Sequence, residues 1–121
     1  MAIGNLGPIK RLINATRYSL RGLSAGLRTQ AALRYEVYVL AVAVPAGWRL
    51  GQGGVERALL IGSCLLVIVV ELVNSAIESV VDRIGREPHE LSGRAKDLAS
   101  AAVFCSILLA AAVWIMVLSA P

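Results

Sequence analysis

ALLIGSCLLVIVVELVNSAIESVV, residues 58–81, is a 24-residue apolar run with Glu71, Asn74, Ser75 and Glu78 set into its second half. At 1.5 Å per residue it is about 36 Å long, enough to cross a bilayer with some tilt. A carboxylate in hydrocarbon costs about 2.5–3.5 kcal/mol on insertion scales, so Glu71 and Glu78 need a reason to be there. On a helical wheel these four residues and Asp82, just beyond the run, share one arc of about 100°, a single polar stripe. Helix–helix glue in membranes uses Asn or Ser and does not need three carboxylates, which points to function. Counted from Ala58, Glu71 lies about 20 Å along and Glu78 about 30 Å, so the stripe runs out to one membrane face.

Around this stretch the chain is that of a small membrane protein. Of its 121 residues, 57% are hydrophobic and 17% charged, with a mean hydropathy of +0.70. That is too apolar for a soluble domain and the reverse of a disordered one. The net charge of +4 and pI near 9.6 suit a cytoplasmic membrane face better than nucleic acid, and no nucleic-acid partner is expected. Leu98–Ala120 is 23 residues without a charge, a second clear span. Residues 33–50 form a shorter one, whose uninterrupted apolar core, Val37–Trp48, is 12 residues. To cross there, Arg34, Glu36 and Arg49 must reach toward the two interfaces. Gly51-Gln52-Gly53-Gly54 is a tight connection, lacking the Lys and Ser/Thr of a phosphate-binding loop.

The segment at about 9–28 is amphipathic, unlike the unbroken core of a signal peptide. Ile9, Leu12, Ile13, Leu20, Leu23 and Leu27 form one stripe, and Lys10, Arg11, Arg17, Arg21 and Arg28 a basic flank, as in a helix lying on a membrane surface. Gly22 and Gly26 in it have the spacing of a close helix contact. The expected fold is therefore all-α, one membrane domain over residues 1–121, with a surface helix followed by spans at 33–50, 58–81 and 98–120. Basic residues crowd the N-terminal segment and the 82–97 loop, placing both in the cytoplasm and the C-terminus on the far side. Cys64 and Cys105 lie in apolar runs with no metal-ligand spacing, and the lone His89 reads as a solvated loop residue.

The loop from Asp82 to Asp97 balances four acidic with four basic residues. Within it Ser92-Gly93-Arg94-Ala95-Lys96-Asp97 has a Ser to cap the last helix, backbone N–H groups and a cation, which suit a phosphate. Glu78 at the wet end suits a hard cation, and Glu71 suits proton abstraction from an alcohol. Carboxylates for magnesium, a lysine for phosphate and a carboxylate near a lipid hydroxyl are the parts of phosphoryl transfer. A small proton-coupled transporter also fits an intramembrane acid, though it would hold that acid near the midplane and need no loop lysine.

Glu71-Leu72-Val73-Asn74-Ser75-Ala76-Ile77-Glu78, Val81-Asp82-Arg83-Ile84-Gly85 and His89-Glu90-Leu91-Ser92-Gly93-Arg94-Ala95-Lys96-Asp97 resemble the bacterial integral-membrane diacylglycerol kinase family. The His-Glu-Leu-Ser-Gly-Arg loop looks more like the Gram-negative lipid kinase than the related undecaprenol kinase. The resemblance implies a homotrimer in the bacterial inner membrane, with active sites at subunit boundaries, that uses magnesium and ATP to phosphorylate diacylglycerol to phosphatidic acid at the cytoplasmic surface. It implies Glu71 as catalytic base with Asn74 and Lys96 in the catalytic set, and Glu78 as metal ligand. Arg11, Tyr18, Ser19, Asp82, His89, Ser92, Gly93, Lys96 and Asp97 would surround the nucleotide. Gln30 stands where the family has a glutamate sharing the metal with Glu78, so the resemblance implies weaker metal binding or a catalytically weakened member. Asn14 stands where some members carry a lysine near the nucleotide.

Overall fold

The computed structural model describes residues 7–121, and every regular element among them is helical: α1 Pro8–Thr29, α2 Ala31–Leu50, α3 Gly54–Ile84 and α4 Glu90–Ser119. Two of these, α3 and α4, are long and apolar enough to cross a membrane. The helix α2 is less apolar, its core flanked by Arg34, Glu36 and Arg49.

Pro8, with φ pre-set and no N–H to lose, opens α1 behind an extended Gly7. None of the residues of α1 is buried in the single chain, so its apolar stripe, Ile9, Leu12 and Leu20 among it, is exposed. It meets α2 at one extended residue, Gln30, whose N–H still donates to Gly26 O at 2.8 Å. Arg34 makes its contacts at the end of α1. Its Nη1 turns back onto Leu27 O (2.9 Å) and Arg28 O (3.2 Å), because the last carbonyls of α1 have no partner within their own helix and carry its negative dipole end. Of the two α1 glycines only Gly26 makes the close approach: a Cβ there would stand 2.7 Å from Leu33 Cδ2, while at Gly22 it would meet open space.

The turn after α2 is the expected tight connection. Gly53, at φ 102°, is the N-cap of α3, and Glu56 Oε1 accepts from Gln52 N at 3.1 Å. Arg57 donates from Nε to Trp48 O at 2.9 Å and lies 4.5 Å over the Trp48 ring, closing the end of α2.

The buried residues of α3, Leu60, Ser63, Val67, Ile68, Glu71, Asn74 and Val81, fall on one side of the helix. The helices α2 and α4 pack on it, and Trp114 Nε1 of α4 donates to Leu60 O at 3.0 Å. Cys64 is half-buried and Cys105 exposed, both free thiols.

The start of α4 corrects the sequence reading. Ser92 does not cap it. His89 is the N-cap, its Nδ1 accepting from Leu91 N at 3.1 Å, and Ser92 falls inside the first turn. His89 is an exposed loop residue, and its imidazole also caps a helix end, while a Glu90–Arg94 ion pair of 3.2 Å supports the turn after it. Both α3 and α4 run past their apolar stretches at this end, since charged residues beyond hydrocarbon continue a helix without cost.

Candidate active site

On the inner face of α3, Glu71 is 4% and Asn74 8% exposed, while Ser75 and Glu78 are half-buried. Asn74 Nδ2 donates to Glu78 Oε1 at 3.3 Å, and Asn74 lies three residues after Glu71 on the same buried face. From α2, Glu36 joins them, close enough to feel the charge of Glu71.

Three buried side-chain atoms among the described residues have no hydrogen-bond partner: Glu36 Oε2, Asn74 Oδ1 and Ser75 Oγ. Asn74 and Ser75 lie about one turn from Glu71 on α3, and Glu36 of α2 is close enough to feel the Glu71 charge. Buried polar atoms in folded proteins are nearly always satisfied, so a cluster of orphans around one carboxylate marks a place built for a polar ligand. Sequence reading missed Glu36, assigning it to an interface, because nothing in the chain order says that α2 turns this side chain toward α3.

Toward the end of α3 the second half of the site opens. Asp82, His89, Ser92, Gly93 and Lys96 border one cleft of about 440 Å³ between the end of α3 and the start of α4. Lys96 Nζ binds Asp82 Oδ1 at 2.8 Å, and each side chain is a little under half exposed. Asp82 lies beyond the apolar stretch. The hydrogen bond from the Lys96 ammonium, with smaller help from the charges of Lys96 and Arg86, holds its carboxyl below the usual carboxylate range. Because the folded value is depressed, this link is complete at neutral pH and is lost only as acid carries the solution down through that lowered range. The first turn of α4, with Ser92 and Gly93 on the cleft, brings the positive end of a helix dipole to the same place.

Ser19 and Gln30 border a different opening, a groove of about 510 Å³ between α1 and α3, together with Thr29, Ser75 and Ser79. Gln30 thus shares this groove with Ser75 and Ser79 of α3, while Glu78 does not border it. Arg11 and Tyr18 on α1 and Asp97 on α4 border neither opening. No group of three His, Cys, Asp or Glu side chains able to hold a metal occurs among the described residues. Asn14 is half-buried on α1.

Residues 17–118 match the family described as prokaryotic diacylglycerol kinase. The chain is 52% identical over 109 residues to a diacylglycerol kinase of Escherichia coli (strain K12), covering 89% of this chain and 88% of that one. It is 47% identical over 106 residues to one of Haemophilus influenzae (88% and 90%) and 46% identical over 110 residues to one of Pseudomonas aeruginosa (91% and 89%).

Proposed function

We propose, from the premise that this chain belongs to the prokaryotic diacylglycerol kinase family and is a lipid kinase acting on diacylglycerol, that the Glu71 stripe and the Asp82–Lys96 cleft are the two halves of its active site. The cluster of unpartnered polar atoms around Glu71, on the same helix as the cleft, carries this reading. The ATP phosphates lie at Lys96 and the first turn of α4, where the ammonium and backbone N–H groups match their charge. The lipid hydroxyl meets Glu71, which takes its proton as the oxygen attacks the γ-phosphorus. The new O–P bond forms as the bond to the β-phosphate oxygen breaks, and ADP leaves with that electron pair. Asn74 holds Glu71 and Glu78 in register. Arg11, Tyr18, Ser19 and Asp97 complete the nucleotide surroundings, with Asp82, His89, Ser92 and Gly93 from the cleft.

Magnesium fits the donors present: Glu78, the Gln30 amide oxygen and Asn74 Oδ1 are hard oxygen ligands, and the ATP phosphates complete such a set. When bound, it offsets the charge on the phosphates. The chain itself supplies one carboxylate and two amides, a weak set. Gln30→Glu therefore lowers the magnesium concentration for half-maximal rate, by about three- to tenfold, as read in a magnesium titration at saturating ATP. An unchanged midpoint removes Gln30 from the metal site.

In the same reading α2 is a third crossing, its core lengthened by Arg49 at one end and the Arg34 cap at the other. The N-terminus and the 82–97 loop face the cytoplasm, the C-terminus the periplasm of a bacterial inner membrane, and α1 lies on the cytoplasmic surface. The exposed apolar faces of α2 and α4 support packing against further copies as a homotrimer, with each site shared between subunits. Co-reconstituted Glu71→Gln and Lys96→Ala subunits then recover activity that neither has alone. No recovery in oligomers shown to be mixed puts each site within one chain.

A further inference from the structure

Four side-chain hydroxyls border the groove between α1 and α3, and three are spent on their own helices. Ser19 Oγ donates to Ala15 O at 2.8 Å, Thr29 Oγ1 to Ala25 O at 2.7 Å and Ser79 Oγ to Ser75 O at 2.9 Å. Ser63 and Ser106 do the same elsewhere, each with a carbonyl three residues earlier. This is the usual refuge of a helical serine. Ser75 Oγ is buried and has no partner.

Its level on α3 makes the exception informative. Ser75 lies one turn beyond Glu71 and three residues before Glu78, rises of about 6 Å and about 4.5 Å. Asn74 stands at the same level on the other side of the line between the carboxylates. Its amide nitrogen is engaged by Glu78, so the atom left open is an acceptor, Oδ1. Between the two carboxylates α3 thus presents acceptors and one unengaged side-chain donor, the Ser75 hydroxyl.

A phosphoryl group passing from ATP to the lipid hydroxyl carries its charge on three equatorial oxygens, and here it passes along a wall of carboxylates. A neutral donor already in position stabilises that charge without reorganising. We propose that Ser75 is a further catalytic residue, whose hydroxyl donates a hydrogen bond to a non-bridging oxygen of the phosphoryl group in transfer. It keeps its proton throughout, the lipid proton going to Glu71 and the leaving electron pair to ADP. The inference rests on the Glu71 stripe being the active site.

Steady-state kinetics of the purified full chain in micelles with diacylglycerol and magnesium-ATP test it, comparing Ser75→Ala, Ser75→Thr and Glu71→Gln with the unmodified protein. Ser75→Ala lowers kcat by about 10- to 100-fold and leaves KM for ATP and for diacylglycerol within about twofold, while Ser75→Thr, which restores the hydroxyl, stays within about threefold of the unmodified kcat. An unchanged kcat in Ser75→Ala, beside an inactive Glu71→Gln, overturns the proposal and leaves the site intact. A rise confined to the diacylglycerol KM overturns it too, since the hydroxyl would then bind the lipid. Ser75→Thr as slow as Ser75→Ala assigns the position to packing. Full turnover in Glu71→Gln removes the site itself, a failure distinct from the others.

Discussion

Glu71→Gln lowers phosphatidate formation by about 10³-fold while KM for ATP changes by less than about threefold. The substitution keeps the size and polarity of a side chain that is 4% exposed, so packing around it survives. What disappears is the proposed base for the lipid hydroxyl, and general-base contributions run to about 10²–10⁴. The proposed nucleotide contacts, on α1 and in the Asp82–Lys96 cleft, are untouched, so the loss falls on kcat. Initial rates at saturating ATP and diacylglycerol check it. A residual rate within tenfold of the unmodified protein excludes Glu71 as the base.

Lys96→Ala has the next largest effect, in the opposite kinetic place. The Lys96 ammonium borders the cleft, and its loss also leaves Asp82 without its 2.8 Å partner, turning a neutral pair into a net negative charge. The triphosphate then meets repulsion where it met attraction, and kcat/KM for ATP falls by about 10²-fold or more. Lys96→Arg keeps the charge and recovers part of it, though its planar fork cannot reproduce a point contact. ATP titrations of both variants check the order. Equal kcat/KM in Lys96→Ala and the unmodified chain removes the lysine from the phosphate site.

The features legible in the sequence are those set by local periodicity. The Glu71–Asp82 stripe lies on one α3 face because residues three and four apart must do so once the segment is helical. The glycine turn at 51–54 and the amphipathic α1 follow from composition in the same way. One misreading arises where partners compete. Ser92 is a good cap, but His89 comes first, and its Nδ1 reaches the Leu91 N–H, so α4 starts earlier. The partners of Arg34, the open carbonyls that end α1, depend on how the two helices meet at Gln30, which no periodicity gives.

Contacts between helices were beyond reach for a further reason. Glu36 and Glu71 are 35 positions apart, and no periodicity relates them. Their proximity depends on how α2 folds back across the Gly51–Gly53 turn onto α3, which Gly47 allows by its close approach to Leu60 and Ile61. The orphaned state of Ser75 is likewise a property of packing. In the sequence Ser75 is legible as part of the polar stripe, but whether its hydroxyl finds a partner is not.

The most direct test of a lipid kinase built on the Glu71 stripe is ATP consumption by the purified, folded protein in micelles over a magnesium titration, with diacylglycerol, undecaprenol or no lipid. Consumption that requires diacylglycerol, rises with magnesium and vanishes in Glu71→Gln is the predicted result. Consumption indifferent to lipid, or none at any magnesium level, contradicts the account.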